Sequence, residues 1–186
     1  AQIGVVISNN PQAAGLQRAK DAGLIVRTVD HRDFATREKF DEALVNELCA
    51  FSIDLVILAG FMRILTPVLV RAFVGRLVNI HPSLLPLYPG MHTHQRALDA
   101  GDAETGATVH FVTQELDGGP AVLQGRVPIL PNDTAQSLAA RVLVKEHVLY
   151  PIAARWYLQG RLHLTDKGAT LDGSAIPAGG VQYTTG

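Results

Sequence analysis

The sequence predicts an α/β protein with a mostly parallel sheet, flanking helices and an antiparallel edge. Short β-branched or apolar runs recur along the chain, and the stretches between them carry apolar residues at helical spacing. A helix that joins two strands is the unit from which parallel sheets are built. Two strand-like runs later in the chain lie within hairpin distance of each other, and this pair predicts the antiparallel edge.

The first third of the chain predicts two strands and two helices. Ile3 to Ile7 is a β-branched run that ends in polar residues, which is typical of a buried strand. Pro11 favours the first turn of a helix, and Gly23 favours its end. Leu24 to Val29 then predicts a second strand. Arg37 to Ala50 predicts a second helix, because its apolar residues recur with a helical period.

The middle of the chain predicts two further strands. Leu55 to Leu58 is a continuous apolar run, which predicts a strand buried on both faces, and a helix follows from about Thr66 to Phe73. Leu77 to Ile80 predicts the next strand. Ligands of open parallel sheets bind outside the carboxyl ends of the strands. We therefore expect the segments at these ends, Gly60 to Leu65 and Asn79 to His81, to line one crevice.

The antiparallel pair is predicted after a helix over His92 to Ala100. Residues 107–113 (ATVHFVT) alternate between two faces, with Thr108 and His110 on the same face, and so predict a half-buried strand. Its partner is Ala121 to Val127.

The last part of the chain predicts a long helix and a small hairpin. Thr134 can cap a helix over Ala135 to Leu158, in which Pro151 is expected to produce a kink or a break. Leu162 to Thr165 and Ala169 to Leu171 would pair as the hairpin.

Length and composition indicate a globular protein and exclude several functional classes. The 186 residues predict a single domain over residues 1–171 and a Gly-rich surface tail over residues 172–186. With 16 Lys and Arg against 17 Asp and Glu, scattered along the chain, no basic patch for nucleic acid or an anionic membrane is expected. No apolar run is long enough to span a bilayer and no signal pattern is recognisable, so a cytoplasmic location is expected. Cys49, the only cysteine, is expected to be a buried, inert thiol.

Asn79, His81 and Asp117 are the strongest candidates for chemistry. In an extended segment Asn79 and His81 project to the same side, and Pro82 keeps His81 extended. Asp117 lies in the segment QELDGGP between two strands. A carboxylate beside an imidazole raises its basicity and fixes its tautomer, which a general acid or base near neutral pH requires. Because Asn79 supplies an uncharged donor for an oxyanion, the three would suit acyl transfer to a nucleophile carried by the substrate.

The same residues also have simpler interpretations. Asn79 and His81 could be a polar strand end, and Asp117 with the following Gly could be an ordinary hairpin turn. The sequence has no Gly-x-Ser-x-Gly motif, and its single Cys is poorly placed, so a covalent acyl-enzyme has no obvious carrier.

Two further groups of polar residues have competing interpretations. His92, His94 and His110 suggest a metal site, although the helical His-x-x-x-His spacing is missing. Arg63 could be a solvated loop charge, or it could contact a ligand at the carboxyl end of a strand.

Three longer segments make the sequence recognisable. LAGFMRIL, NIHPSLLPLYPGMHTHQRAL and TVHFVTQELDGGPAVLQ closely resemble segments of the phosphoribosylglycinamide formyltransferase family, folate-dependent enzymes of purine synthesis. The similarity extends from Ile3 to about Leu171. It implies a Rossmann-like sheet of the formyltransferase fold and a transferase of one-carbon metabolism.

The resemblance assigns roles to individual residues. The catalytic Asn, His and Asp of the family fall on Asn79, His81 and Asp117. The folate-binding residues fall on Arg37, Met62, Arg63, Ile64, Leu65, Asn79, Thr113, Gln114, Glu115, Leu116 and Asp117. A residue that binds the ribose of the glycinamide substrate falls on Glu146.

The resemblance also implies a mechanism. The amine of glycinamide ribonucleotide would attack the formyl carbon of the co-substrate, 10-formyltetrahydrofolate, and no metal would be needed. Asn79 and protonated His81 would stabilise the tetrahedral oxyanion, while Asp117 would hold His81 charged and help to move protons. The partners would be these small molecules, without nucleic acid or membrane, and the protein would be a monomer or a homodimer.

The sequence departs from the family at its beginning. Family members start with a strand, a Gly-rich phosphate-binding loop and a helix, whereas this sequence starts at the second strand. We therefore expect the functional protein to contain that segment as well.

Three alternatives remain open from the sequence: formyltetrahydrofolate deformylase, methionyl-tRNA formyltransferase, and a non-catalytic nucleotide-binding module. The two alternative enzymes share the Asn-x-His pair and the later Asp, but each usually carries a second domain. His92 and His94 within HTHQRAL match the glycinamide enzyme instead.

Overall fold

A computed structural model describes residues 2–184 of the chain. The helices are α1 (Ala14–Asp21), α2 (Arg37–Cys49), α3 (Pro67–Ala72), α4 (Thr93–Ala100) and α5 (Ala135–Leu158). The strands are β1 (Val6–Ser8), β2 (Val26–Thr28), β3 (Val56–Leu58), β4 (Leu77–His81), β5 (Glu104–Phe111), β6 (Ala121–Pro128), β7 (Leu162–Thr165), β8 (Gly168–Leu171), β9 (Ser174–Ala175) and β10 (Val181–Tyr183). These helices and strands belong to two compact units. Unit 1 contains the residues up to Asp54 and Arg63–Phe73, and unit 2 contains Leu55–Met62 and the residues from Val74 onward.

Unit 1 is built on the parallel pair β1 and β2, which α1 connects as the sequence predicts. Val6 lies opposite Val26 in this pair. Asp41 on α2 is buried, and its carboxylate accepts hydrogen bonds from both the amide and the hydroxyl of Thr66 at 2.7 Å. Thr66 in turn caps α3 by accepting from the amide of Val68. These bonds fix the start of α3 against α2.

Unit 2 is built on a five-stranded mixed sheet in the order β10-β6-β5-β4-β3. β3 is parallel to β4 and β10 is parallel to β6, whereas β5 is antiparallel to both of its neighbours. The predicted α/β fold with flanking helices is therefore confirmed. The antiparallel pairs lie in the middle of this sheet, however, and not at its edge.

The core of unit 2 lies between this sheet and α5. Val109 and Phe111 of β5 are fully buried, as are Leu138, Val142 and Leu149 of α5. Burying one side chain of this size stabilises the fold by about 1.5–3 kcal/mol. β5 is thus held firmly by the core, and β4 is hydrogen-bonded beside it.

Two strands differ from their predicted burial. Ile57 of β3 is 46% exposed, because β3 is the last strand of its sheet, so the prediction of a strand buried on both faces is wrong. β5 was predicted to be half-buried, yet every residue after Glu104 is buried. Helix α5 covers one face of β5, and the loop after β4 covers the other, where the amide of Leu85 donates to the hydroxyl of Thr108 at 3.1 Å.

The C-terminal segments also depart from the prediction. Helix α5 continues unbroken through Pro151, because Leu149 and Ala153 on either side are buried and their packing offsets the lost backbone bond. β7 and β8 form the predicted hairpin, and β9 extends it. Part of the segment predicted to be a tail is strand β10, in which Val181 lies opposite Leu123 of β6. Residues 185–186 of that segment lie outside the described residues.

Cys49 is exposed, so the prediction of a buried thiol is wrong. It follows the buried Phe40 by two and a half helical turns and therefore lies on the opposite side of α2. Within residues 2–184, no helix is long and apolar enough to cross a membrane.

Candidate active site

The candidate site is organised by the pairing of β4 with β5. In this antiparallel pair Asn79 lies directly opposite His110, and His81 lies opposite Thr108. Directly opposite residues of an antiparallel pair share one face of the sheet. The register therefore places Asn79, His81 and His110 together on the same face, in unit 2.

His81 is held at the end of β4 by both of its ring nitrogens. Its side chain is 7% exposed, and Nε2 donates a hydrogen bond to the backbone carbonyl of Tyr88 at 2.8 Å. A carbonyl can only accept, so Nε2 carries a proton. Nδ1 lies 3.4 Å from Oδ2 of Asp117. Nδ1 is therefore the ring nitrogen that faces the carboxylate.

Asp117 is brought to the histidines by the loop between β5 and β6. Its backbone has φ of 52°, and its Oδ2 accepts from the amide of Gly90 at 2.8 Å. Oδ1 lies 3.7 Å from Nε2 of His110. The loop returns so closely to its strand that a Cβ on Gly119 would lie 1.9 Å from the carbonyl oxygen of Phe111. The Asp-Gly-Gly sequence is thus a turn and also a means of placing a carboxylate.

His110 is buried within this cluster. Its Nδ1 donates to the carbonyl of Phe111 at 2.9 Å, and its Nε2 lies 3.2 Å from Nδ2 of Asn79. Burial lowers the pKa of His110 because the imidazolium would lose its hydration, an effect larger than the opposing influence of the Phe111 carbonyl and the Asp117 charge. The interpretation of His110 as a metal ligand is not favoured by this use of both nitrogens.

The three predicted catalytic residues are therefore brought together with complementary chemistry. Asn79 offers amide hydrogens, His81 offers a ring nitrogen, and Asp117 offers a carboxylate oxygen 3.4 Å from that nitrogen. A carboxylate stabilises the charged form of an imidazole at this distance. The arrangement can stabilise an oxyanion and transfer protons without a nucleophile of its own.

The predicted folate residues of unit 2 lie on exposed segments. Met62 is 74% and Leu116 is 55% exposed, and Gln114 and Glu115 are also exposed, whereas Thr113 is half-buried. Leu116 directly precedes Asp117, and an exposed apolar side chain beside a buried polar cluster is suited to contact a flat aromatic ring.

The predicted folate residues of unit 1 are Arg37, Arg63, Ile64 and Leu65. Arg37 is exposed in the first turn of α2, and Ile64 is 59% exposed. The Arg63 guanidinium lies 5.4 Å from the centre of the Phe40 ring, and its Nε is buried without a hydrogen-bond partner among the described residues. Arg63 is therefore partly packed and not a freely solvated loop charge.

Glu146 lies on the half-buried side of α5, and burial raises the pKa of its carboxyl group. Tyr150, one turn later on the same side, donates through its hydroxyl to the carbonyls of Leu58 at 2.6 Å and Val78 at 3.0 Å. Glu146 therefore lies one helical turn before the residue whose hydroxyl contacts the last residue of β3 and the second residue of β4.

The other two histidines of the competing metal interpretation, His92 and His94, do not form a metal site in the part of the chain that is described. His92 is exposed with φ of 59°, and His94 is half-buried with an Nδ1 that has no partner among those residues. Burial and the neighbouring His81 lower the pKa of His94. No group of three His, Cys, Asp or Glu side chains within residues 2–184 could hold a metal ion.

Comparison with known proteins defines the class. The sequence profile described as formyl transferase matches residues 1–154. This match covers most of the chain, and the chain therefore belongs to the formyl transferase family.

The individual relatives are more specific and confirm the resemblance recognised from the sequence. The chain is 48% identical over 178 residues to phosphoribosylglycinamide formyltransferase of Escherichia coli, an alignment that covers 96% of the chain and 84% of that protein. It is 44% identical to the human trifunctional purine biosynthetic protein adenosine-3, over 90% of the chain and 17% of that protein. The solved phosphoribosylglycinamide formyltransferase of Coxiella burnetii superposes with a TM-score of 0.93 at 41% identity, covering 98% of this chain and 86% of that one.

The contacts of the site include residues that sequence reasoning missed. The carbonyl of Tyr88 and the amide of Gly90 are backbone groups, which no side-chain motif reveals. His110 was assigned only to a metal hypothesis. Its alternation with Thr108 was visible in the sequence, but its position opposite Asn79 depends on the strand register.

Proposed function

We propose that the protein transfers the formyl group of 10-formyltetrahydrofolate to the amine of glycinamide ribonucleotide, a step of de novo purine synthesis. The observation that carries the proposal is the cluster of Asn79, His81 and Asp117. It occurs in a chain that is 48% identical to the phosphoribosylglycinamide formyltransferase of Escherichia coli. The cluster suits a reaction in which the substrate itself supplies the nucleophile.

The reaction would begin with attack of the substrate amine on the formyl carbon. A bond forms between the amine nitrogen and this carbon, and the carbonyl oxygen becomes an oxyanion. Asn79 supports this step because its amide has a second hydrogen that makes no other hydrogen bond among the described residues. Donors aimed at a developing oxyanion lower the barrier, since they need no reorganisation at the moment of reaction.

His81 and Asp117 would handle charge and protons. With Nε2 fixed on the Tyr88 carbonyl, only Nδ1 of His81 faces the carboxylate. A proton on Nδ1 would stabilise the oxyanion, and the carboxylate would favour that charged form. Collapse of the intermediate breaks the bond between the formyl carbon and N10 of the folate. The amine nitrogen loses one proton and N10 gains one, so no net proton is consumed, and no step needs a metal.

The remaining predicted contacts divide between the two substrates. Arg37, Met62, Arg63, Ile64, Leu65, Asn79 and residues 113–117 would bind the folate, and Glu146 would bind the ribose of glycinamide ribonucleotide. A carboxylate is a good acceptor for the two hydroxyls of a ribose. The scattered charges of both signs offer no basic surface for nucleic acid or an anionic membrane, so we propose small-molecule partners alone. We further propose a cytoplasmic protein that is a monomer or a homodimer.

One assay tests this proposal against its alternatives. The protein is incubated with 10-formyltetrahydrofolate, with and without glycinamide ribonucleotide, and both tetrahydrofolate and the formylated product are quantified. Equal amounts of the two products, formed only when the amine is present, are expected. Release of formate without the amine would support the deformylase instead. The absence of any turnover would support a binding module.

A further inference from the structure

His110 occupies a place in the cluster that the three proposed catalytic residues do not explain. Its side chain is 2% exposed, and it lies where β5 changes its register against β6, between Val109 and His110. Such bulges turn a side chain away from its regular direction. Here the ring is directed at the amide of Asn79, its direct partner on β4.

The protonation of His110 follows from its two hydrogen bonds. Nδ1 faces the carbonyl of Phe111, and a carbonyl can only accept, so Nδ1 carries the proton. Burial favours the neutral ring, and Nε2 of a neutral ring with this tautomer is an acceptor. The part of the Asn79 side chain that faces Nε2 is therefore its NH₂ group and not its oxygen.

We propose that His110 is a positioning residue that holds the Asn79 amide in the orientation in which its second N–H is free to bind the oxyanion. This assignment rests on the proposed function. In it, Nε2 of the buried His110 ring is a fixed hydrogen-bond acceptor for the Asn79 amide. A His110 that donated from Nε2 would turn the amide by half a rotation. The side-chain oxygen of Asn79 would then face the His110 ring. The NH₂ group of Asn79 would occupy the position that the oxygen has now.

Two variants of His110 test the contacts of its two ring nitrogens one at a time. In His110→Gln the side-chain oxygen can occupy the position of Nε2 and accept from Asn79. In His110→Asn the side chain reaches only the position of Nδ1, so the contact with Phe111 is kept and the acceptor for Asn79 is lost. We expect His110→Asn to lower kcat by about 10–100-fold with little change in KM, as is typical of supporting residues behind a reactive group. We expect His110→Gln to retain most of the activity.

Nitrogen-15 NMR of the ring provides a readout that does not depend on activity. The wild-type protein at neutral pH should give a protonated Nδ1 and an unprotonated Nε2 for His110, assigned from the signals that His110→Gln loses. The wild-type transfer activity is measured first, and its absence would count against the proposed function. An Nε2–H ring, or equal kcat for both variants of an active enzyme, would overturn the role of His110 alone.

Discussion

The candidate site joins two regions that are held in different ways. Asn79, His81 and His110 lie on adjacent strands, where the backbone ladder of β4 and β5 fixes their spacing. Asp117 lies on a loop and is held by the amide of Gly90 and by the close return of Gly119. The groups proposed to polarise a substrate are thus placed by the sheet, whereas the carboxylate proposed to tune them is placed by a loop. Substitutions should affect the two regions differently.

The largest effect is expected from removing the loop charge. Asp117→Asn keeps the size of the side chain and an oxygen that can accept from Gly90, but it removes the negative charge beside Nδ1 of His81. We expect kcat to fall by about 10³-fold, the scale of a lost acid–base function. Steady-state kinetics with both substrates measures this effect, and an unchanged melting temperature serves as the control. Activity within tenfold of wild type would remove Asp117 from the mechanism.

Removing the donor supplied by the sheet should have a somewhat smaller effect. Asn79→Ala deletes the N–H proposed to bind the oxyanion, and the loss of one such donor costs about 10²–10³-fold in kcat. The ladder of β4 is made by its backbone, so the fold should persist. Because Asn79 is also among the residues expected to contact the folate, the loss of kcat should exceed any loss of folate affinity. Comparison of kcat with the folate dissociation constant checks this separation. A variant that loses folate binding and keeps kcat would contradict the assigned role.

The importance of the position of the loop that carries Asp117 can be tested without changing a polar side chain. A Cβ in Gly119→Ala would collide with the backbone of Phe111, so the loop must move, and we expect a loss of about 1–3 kcal/mol in stability together with lower kcat. Gly118→Ala is the matched control, because the three atoms that its Cβ would approach most closely all belong to the flexible side chain of Glu115. Urea unfolding and kinetics of the two variants decide the point. Equal behaviour would mean that the loop position is not critical.

The smallest expected effect is a pH dependence that comes from the sheet region. Burial lowers the pKa of His110, so the folded protein resists its protonation while the unfolded chain accepts a proton below about pH 6.5. The free energy of unfolding should therefore decrease as the pH falls, by at most about 1.4 kcal/mol per pH unit from this group. His110→Gln should show a shallower decrease in urea unfolding between neutral and mildly acidic pH. His94, whose pKa is lowered in the same direction, is present in both proteins, so identical slopes would count against His110.

The sequence indicates candidate residues for the site more readily than it indicates their arrangement. Asn79 and His81 were paired because alternate residues of a strand share a face, and this needs only local geometry. The contact of Asn79 with His110 depends on the register between two strands that are separated by 22 intervening residues. A shift of that register by one residue would move His110 to the other face of the sheet. Local patterns do not contain that information.

Burial was mispredicted where it depends on neighbours in space. The apolar run that includes Ile57 has the composition of a central strand, yet β3 ends its sheet and leaves Ile57 exposed. β10 was missed because its short segment gains its strand character from pairing with β6. Pro151 should weaken a helix, but the buried residues around it stabilise α5 enough to continue. In each case tertiary packing outweighed a local preference.

The bond between His81 and the backbone of Tyr88 has a consequence for how this site can change over time. The acceptor is a carbonyl that every amino acid carries, and it is directed by a residue with φ of 54°. No exchange of side chain at position 88 removes the acceptor itself. The orientation of the His81 imidazole therefore depends on the backbone path of this loop and not on the side chain at position 88. Only an insertion, a deletion or a changed turn in the loop would remove it.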